Sequence, residues 1–112
     1  MSEQLPMAVS VEEVSGLIQS GEPMILLDCR TVEEHALVHL EGDLLIPMDR
    51  IDQELETLQP LKDKRIVVYC HMGVRSQMVC EWLRRQGFET AQTMVGGIDH
   101  WAVKIDTSLP RY

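Results

Sequence analysis

Apolar positions along the chain alternate between two periods. Short unbroken runs, Met24 to Asp28 after Pro23 and Arg65 to Cys70, read as strands buried on both faces. The second run is the stronger, because Ile66, Val67, Val68 and Tyr69 are β-branched or aromatic. Between such runs, apolar residues recur three and four apart, the spacing of one helix face. Ser10-Val11-Glu12-Glu13 is a capping-box pattern that opens a helix with the stripe Val11, Val14, Leu17 and Ile18, ended by Gly21. Thr31-Val32-Glu33-Glu34 repeats the pattern over a shorter helix to about Leu37. Ile51, Leu55 and Leu58 predict a helix up to Pro60, with the acidic stretch Asp49 to Glu56 on its solvated side. A helix over about Ser76 to Gln86 carries Met78, Val79, Trp82 and Leu83 on one face and stops at Gly87. Met7 to Val9, Leu44 to Ile46 and Glu89 to Met94 read as further strands, and Ile98 to Val103 as a closing helix after Gly96-Gly97. Strands and helices in strict alternation predict an α/β fold, with parallel strand pairing and helices on both faces. No repeat or linker interrupts the pattern, so residues 1–112 read as one domain with loose ends at 1–5 and 106–112.

Composition narrows the partners. Of 112 residues, 45% are hydrophobic and 25% charged, a globular balance, and the formal net charge is −8. So acidic a chain is repelled by phosphate backbones and anionic lipid heads, which argues against nucleic acid and membrane partners. The apolar runs are too short to span a bilayer. Met1 to Ser10 lacks a basic flank followed by an apolar block, so no secretory signal is expected. Cys29, Cys70 and Cys80 form neither an even set nor a CxxC, which argues against a disulfide framework and a structural zinc site. A reducing, cytoplasmic setting is the expectation.

In parallel sheets, chemistry gathers beyond the carboxyl ends of strands, where loops enter helix N-termini. The strongest predicted strand ends at Cys70, followed by His71, Met72, Gly73, Val74, Arg75 and Ser76. Gly73 permits backbone angles closed to other residues, so several N–H groups can converge on one point, and the next helix adds its N-terminal donors. The nearest anion for that cradle is the Cys70 thiolate, whose pKa such surroundings lower. Arg75 adds a positive charge and a planar fork of donors. The segment is therefore a candidate nucleophilic cysteine in an anion-binding loop; the plainer alternative is an apolar cysteine ending a core strand.

At this point the chain resembles the rhodanese-like domain family. Residues 70–76 are similar to its C-x-x-G-x-R-S active-site loop, and Asp28-Cys29-Arg30 followed by Glu34 to its D-x-R…E segment. His39-Leu40-Glu41-Gly42 leading to Ile46-Pro47 resembles the family's H-I-x-G-A…I-P stretch, with Val38 and Asp43 where the family has glycine and alanine. Val95-Gly96-Gly97-Ile98-Asp99-His100-Trp101 resembles its L-x-G-G-x-x-x-W ending. The resemblance implies a central five-stranded parallel sheet and transfer of sulfane sulfur through a persulfide on Cys70. Thiosulfate or a persulfide would be the donor and a thiol, cyanide or a protein the acceptor, with no metal or organic cofactor. Related phosphatases and arsenate reductases use C-x5-R loops. Here four residues separate Cys70 from Arg75, a spacing suited to sulfur rather than to a tetrahedral oxyanion. Thiosulfate-active members often carry Arg or Lys after the cysteine, whereas His71 and Met72 bring less positive charge.

Other residues have weaker claims. Asp28 and Arg30 share one side of their strand end and are candidates to hold and orient the loop, against a merely local Arg30–Glu34 pair. Cys29 faces the other side and reads as core, and Cys80 as helix packing. His35 and His39 lack an evident third ligand and read as structural rather than metal-binding. Trp101 is expected to serve both the core and the wall of the pocket mouth. Met48, Met72 and Met94 offer a soft rim or plain core filling. A binding or regulatory module without turnover is the competing functional class.

Overall fold

The computed structural model describes residues 5–112. In chain order the elements are β1 (Ala8–Val9), α1 (Val11–Ser20), β2 (Ile25–Asp28), α2 (Val32–Leu37), β3 (Leu44–Leu45), α3 (Leu55–Leu58), β4 (Ile66–Tyr69), α4 (Val74–Arg85), β5 (Ala91–Met94) and α5 (Gly97–Lys104). The five strands form one parallel sheet in the order β1-β5-β4-β2-β3. The predicted α/β class and five-stranded parallel sheet are thus the observed ones. Ser10 caps α1 by accepting from the Glu13 N–H, while the Glu13 side chain turns to Arg65, so the full capping box closes only on α2, between Thr31 and Glu34.

Alternation along the strands separates two cores. Leu27, Cys29, Ile66, Val68 and Cys70 face one side with Val79, Cys80 and Leu83 of α4 and with Phe88. Leu26, Val67 and Tyr69 face the other with Val11 and Val14 of α1 and Ile98 and Trp101 of α5. The chain leaves β2 toward one edge of the sheet, by α2 to β3, and leaves β4 toward the other, by α4 to β5. The carboxyl ends of β2 and β4 therefore flank the topological switch point, where parallel sheets open a crevice.

Three segments differ from the sequence pattern. The helix expected around Ile51 to Leu58 is broken into a 3-10 stretch Met48–Glu54, the single turn α3 and a second 3-10 turn Gln59–Leu61. Pro47 and Pro60 bracket the segment, and only Ile51 and Leu58 of its α- and 3-10-helical residues are fully buried, so neither hydrogen bonding nor packing sustains a longer α-helix. α4 starts at Val74, before Ser76, because Gly73 at φ 105° turns the chain straight from the strand end into the helix. Residues 106–112, read as a loose end, carry specific contacts: Leu109 packs against the core of α1 and α5, Arg111 pairs with Asp99 at 2.9 Å, and Tyr112 reaches the strand ends. Of the loose end expected at 1–5, residues 1–4 lie outside the described residues, while the Leu5 carbonyl accepts a bond from Arg84. No helix among the described residues is long and apolar enough to cross a membrane.

α5 is docked directly on the end of β4. The Ile98 and Asp99 N–H groups donate to the Cys70 and His71 carbonyls at 2.9 and 3.0 Å. That approach needs Gly97, at φ 62°, because a Cβ there would run into the same two carbonyls. Gly97→Ala is expected to cost about 2–4 kcal/mol in denaturant unfolding, from backbone strain and displaced carbonyls together. A loss below about 0.5 kcal/mol would mean that α5 can slide off the loop freely.

Candidate active site

Cys70 is 1% exposed, and an ionised sulfur at that depth survives only if donors surround it. The chain after β4 supplies them. Gly73 N–H donates to Sγ at 3.1 Å and Ser76 N–H at 3.3 Å, while Ser76 Oγ lies 3.4 Å away. Ser76 Oγ is in turn 2.6 Å from Thr93 Oγ1 and 3.3 Å from the Gly73 carbonyl, and toward an ionised sulfur its hydroxyl favours the charge. From the neighbouring strand end, the Cys29 thiol also favours the charged form of Cys70. Cys29, Ser76 and Gly73 outweigh the cost of burial and pull the Cys70 thiol down to about 5. The same contact and burial push Cys29 far up, which keeps it protonated as the donor. Burial pushes Cys80 up to about 12, so it is a packing thiol on α4.

Arg75 lies in the first turn of α4, and its guanidinium is held by Glu34 of α2 through bonds of 2.6 and 2.9 Å. That contact holds the Glu34 carboxyl well below the usual carboxylate range. Glu34 also caps Thr31 and accepts the Tyr112 hydroxyl at 2.6 Å. The Tyr112 ring stacks on His71 at 3.9 Å. Arg75 is thereby tied to the scaffold rather than folded over the sulfur, and its charge is partly met by Glu34. Met72, Val74, Met78 and Val95, all exposed, border a groove of about 460 Å³ beside the loop.

Several expectations are corrected. Asp28 and Arg30 do share a side, but it is the face away from the sulfur, and their hydrogen bonds run to each other, His35, Val38 and Tyr112 rather than to the loop 70–76. Instead they form a fully buried, two-pronged pair at 2.9 Å, with Arg30 also donating to the Val38 carbonyl and to the Tyr112 hydroxyl. Satisfying every prong is what makes a buried charge pair tenable. The local Arg30–Glu34 pair does not form either, because each partner is engaged elsewhere. Trp101, 8% exposed, is core only: one turn past Ile98 it faces the α1 side, and its open edge lies in a groove with Ile18, His39 and Leu109. It walls no part of the Cys70 pocket, since α5 presents that face to the opposite core. Met94 is fully buried core filling, not rim, because β5 is paired on both sides and Met94 lies in the core formed with α1 and α5, whereas Met48 packs half-buried against the sulfur-side core.

His35 and His39 stack at 4.0 Å, and Asp43 supplies a third potential ligand that the sequence spacing did not show. Their Nδ1 atoms are bonded to Asp28 and to the His35 carbonyl, and Asp43 accepts from the Tyr69 hydroxyl. Ligand atoms of the three lie within 4.8 Å of one another, and their bonds to Asp28, the His35 carbonyl and Tyr69 tie them into the scaffold around the end of β2. The residues that sequence reasoning missed are Cys29 as donor, Thr93 behind Ser76, and Tyr112. Only Cys29 carried a signal: Leu27, Cys29, Val68 and Cys70 share strand parity, which pairing of the two strands turns into contact.

The rate of Cys70 alkylation by iodoacetamide is expected to have its midpoint near pH 5, against about 8.5 for an ordinary thiol, and to be flat above pH 7. The sign follows from the donors: Cys29→Ala or Ser76→Ala removes one and moves the midpoint up. An unchanged wild-type midpoint near 8.5 would mean that the cradle does not hold a thiolate.

With the geometry in place, comparison with known proteins is informative. The family profile of the rhodanese-like domain matches residues 10–104. The chain is 32% identical to "Adenylyltransferase and sulfurtransferase uba4" of Ogataea parapolymorpha over 104 residues, 93% of this chain, but it spans only 25% of that protein. Among solved structures, a rhodanese-like domain protein from Staphylococcus aureus superposes with a TM-score of 0.80 at 29% identity, covering 96% of this chain and 99% of that one. The human single-domain sulfurtransferase TSTD1 superposes with a TM-score of 0.79 at 28% identity, covering 89% and 98%. By the profile match, the sheet order and the cysteine loop together, the chain belongs to the rhodanese-like domain family.

Proposed function

We propose that the domain is a sulfurtransferase that carries sulfane sulfur as a persulfide on Cys70. The observation that carries the reading is the buried Cys70 sulfur, held by two backbone N–H groups, with Ser76 Oγ at 3.4 Å and Cys29 abreast of it on the next strand. A thiol so placed is a thiolate at neutral pH and attacks the outer sulfur of a donor. The donor's remainder leaves with the bonding pair, and the Cys70 persulfide inherits the negative charge. The N-terminal donors of α4 lie beside that charge and stabilise it without reorganising. A thiol, cyanide or protein thiol acceptor then attacks the outer sulfur and regenerates the Cys70 thiolate. Neither half-reaction requires a metal or organic cofactor.

The surroundings favour a donor of low charge. Glu34 partly neutralises Arg75, His71 is stacked under Tyr112, and the groove beside the loop is bordered by exposed methionine and valine. On a chain of net charge −8, such a mouth suits an organic or protein persulfide better than the thiosulfate dianion. Arg75, fixed to Glu34, also fails to close the loop into a cradle for a tetrahedral oxyanion, which disfavours phosphatase or arsenate reductase chemistry. The fold with an intact nucleophile likewise supports turnover over a purely binding module.

Intact-protein mass after brief incubation with cysteine persulfide, which carries less negative charge than thiosulfate, is expected to rise by one sulfur atom, and to return on addition of cyanide. Cys70→Ser, a near-isosteric change, should fold normally and stay unloaded. Thiosulfate should load wild type at least about tenfold more slowly. Equal loading of Cys70→Ser would move the carrier to another thiol, and no loading of wild type by either donor would overturn the reading.

A further inference from the structure

Cys29 is a buried thiol that simple sulfur relay does not consume. Its backbone N–H donates to the Tyr69 carbonyl at 3.1 Å, which extends the β2–β4 ladder one residue past the pair Asp28–Tyr69. Cys29 therefore sits abreast of Cys70 at the switch point. Parallel neighbours lie about 4.8 Å apart, inside the Cα separation of about 4.4–6.8 Å that a disulfide spans. Strand parity sends both side chains into the same buried core. Cys29 also lines an open cavity of about 150 Å³ with Pro47, Met48, Asp49 and Arg75, which brings its side of the sheet end to the surface.

We propose that Cys29 resolves the Cys70 persulfide, closing a Cys29–Cys70 disulfide and expelling hydrosulfide. The inference rests on the sulfur-carrier reading above. Cys29, protonated beside the free Cys70 thiolate, first passes its proton to the anionic outer sulfur of the persulfide, and its Sγ then attacks Cys70 Sγ as the bond from Cys70 Sγ to the outer sulfur breaks. The outer sulfur takes the bonding pair and the Cys29 proton and departs as hydrosulfide. Cys29 is oxidised and the sulfane sulfur is reduced, so electrons balance within the loaded protein and no outside oxidant enters. Hydrosulfide is a weakly basic leaving group, and the attack is intramolecular between neighbouring side chains. When a thiol acceptor is present it competes for the outer sulfur; when none arrives, the domain discharges itself and stays inactive until a dithiol reductant opens the bridge.

The test follows loaded protein, freed of excess donor, by intact mass and by hydrosulfide release. Wild type is expected to lose its added sulfur at a rate independent of protein concentration. The product should be two hydrogens lighter than the reduced chain, with one hydrosulfide released and a digest that links Cys29 to Cys70. Cys29→Ser, which keeps a hydroxyl donor toward Cys70, should hold its sulfur at least about tenfold longer once loaded. A wild-type persulfide as durable as that of Cys29→Ser, or a bridge that maps to Cys80 or between two chains, would overturn the inference while leaving the carrier reading intact. Failure of wild type to load at all would overturn both.

Discussion

Everything at this site depends on one requirement: a negatively charged sulfur at the end of a central strand, away from water, must be ringed by donors. Burial alone drives a thiol toward its neutral form. Here the strand end, the left-handed Gly73 and the start of α4 bring N–H groups onto Cys70. The docking of α5 through Gly97 holds the carbonyls of Cys70 and His71 from behind. Thr93 on the adjacent strand fixes Ser76. The donors and the groups that hold them thus come from separate elements that the parallel sheet brings to one end, which is why the fold and the chemistry are inseparable.

The two faces of the sheet divide the labour. On one, the sulfurs of Cys29 and Cys70 share an apolar core. On the other, the buried Asp28–Arg30 pair ties the end of β2 to Val38 and to Tyr112. Tyr112 in turn links Arg30, Glu34 and His71, so the ion-pair network braces the sulfur loop from outside without touching the sulfur. Glu34 is the hinge between these systems, serving at once as helix cap and as anchor of Arg75.

Much of this was legible in the sequence because it follows from local rules. The helix caps at Ser10 and Thr31, the β-branched run ending at Cys70 and the glycine at position 73 each force a local geometry. Their order along the chain then dictates a parallel sheet with the loop at its carboxyl end. What was not legible depends on pairing between distant segments. That Cys29 lies abreast of Cys70 follows only once β2 is paired with β4. That Arg75 meets Glu34 rather than the sulfur follows from where α2 and α4 land. Trp101 was misread because a helix stripe tells which residues are buried but not against which face. The segment between Pro47 and Pro60 was misread because three apolar residues at helical spacing do not overcome two prolines.

The central claim is that Cys70 carries sulfur inside a cradle already built to hold it. A crystal structure of the domain frozen after brief loading with a persulfide donor tests this most directly. The account predicts density for one atom beyond Cys70 Sγ, within hydrogen-bond reach of the N–H groups at the start of α4, with residues 70–76 unmoved. Added sulfur on Cys29 or Cys80, or a loop that must open and refold to admit it, would contradict the account.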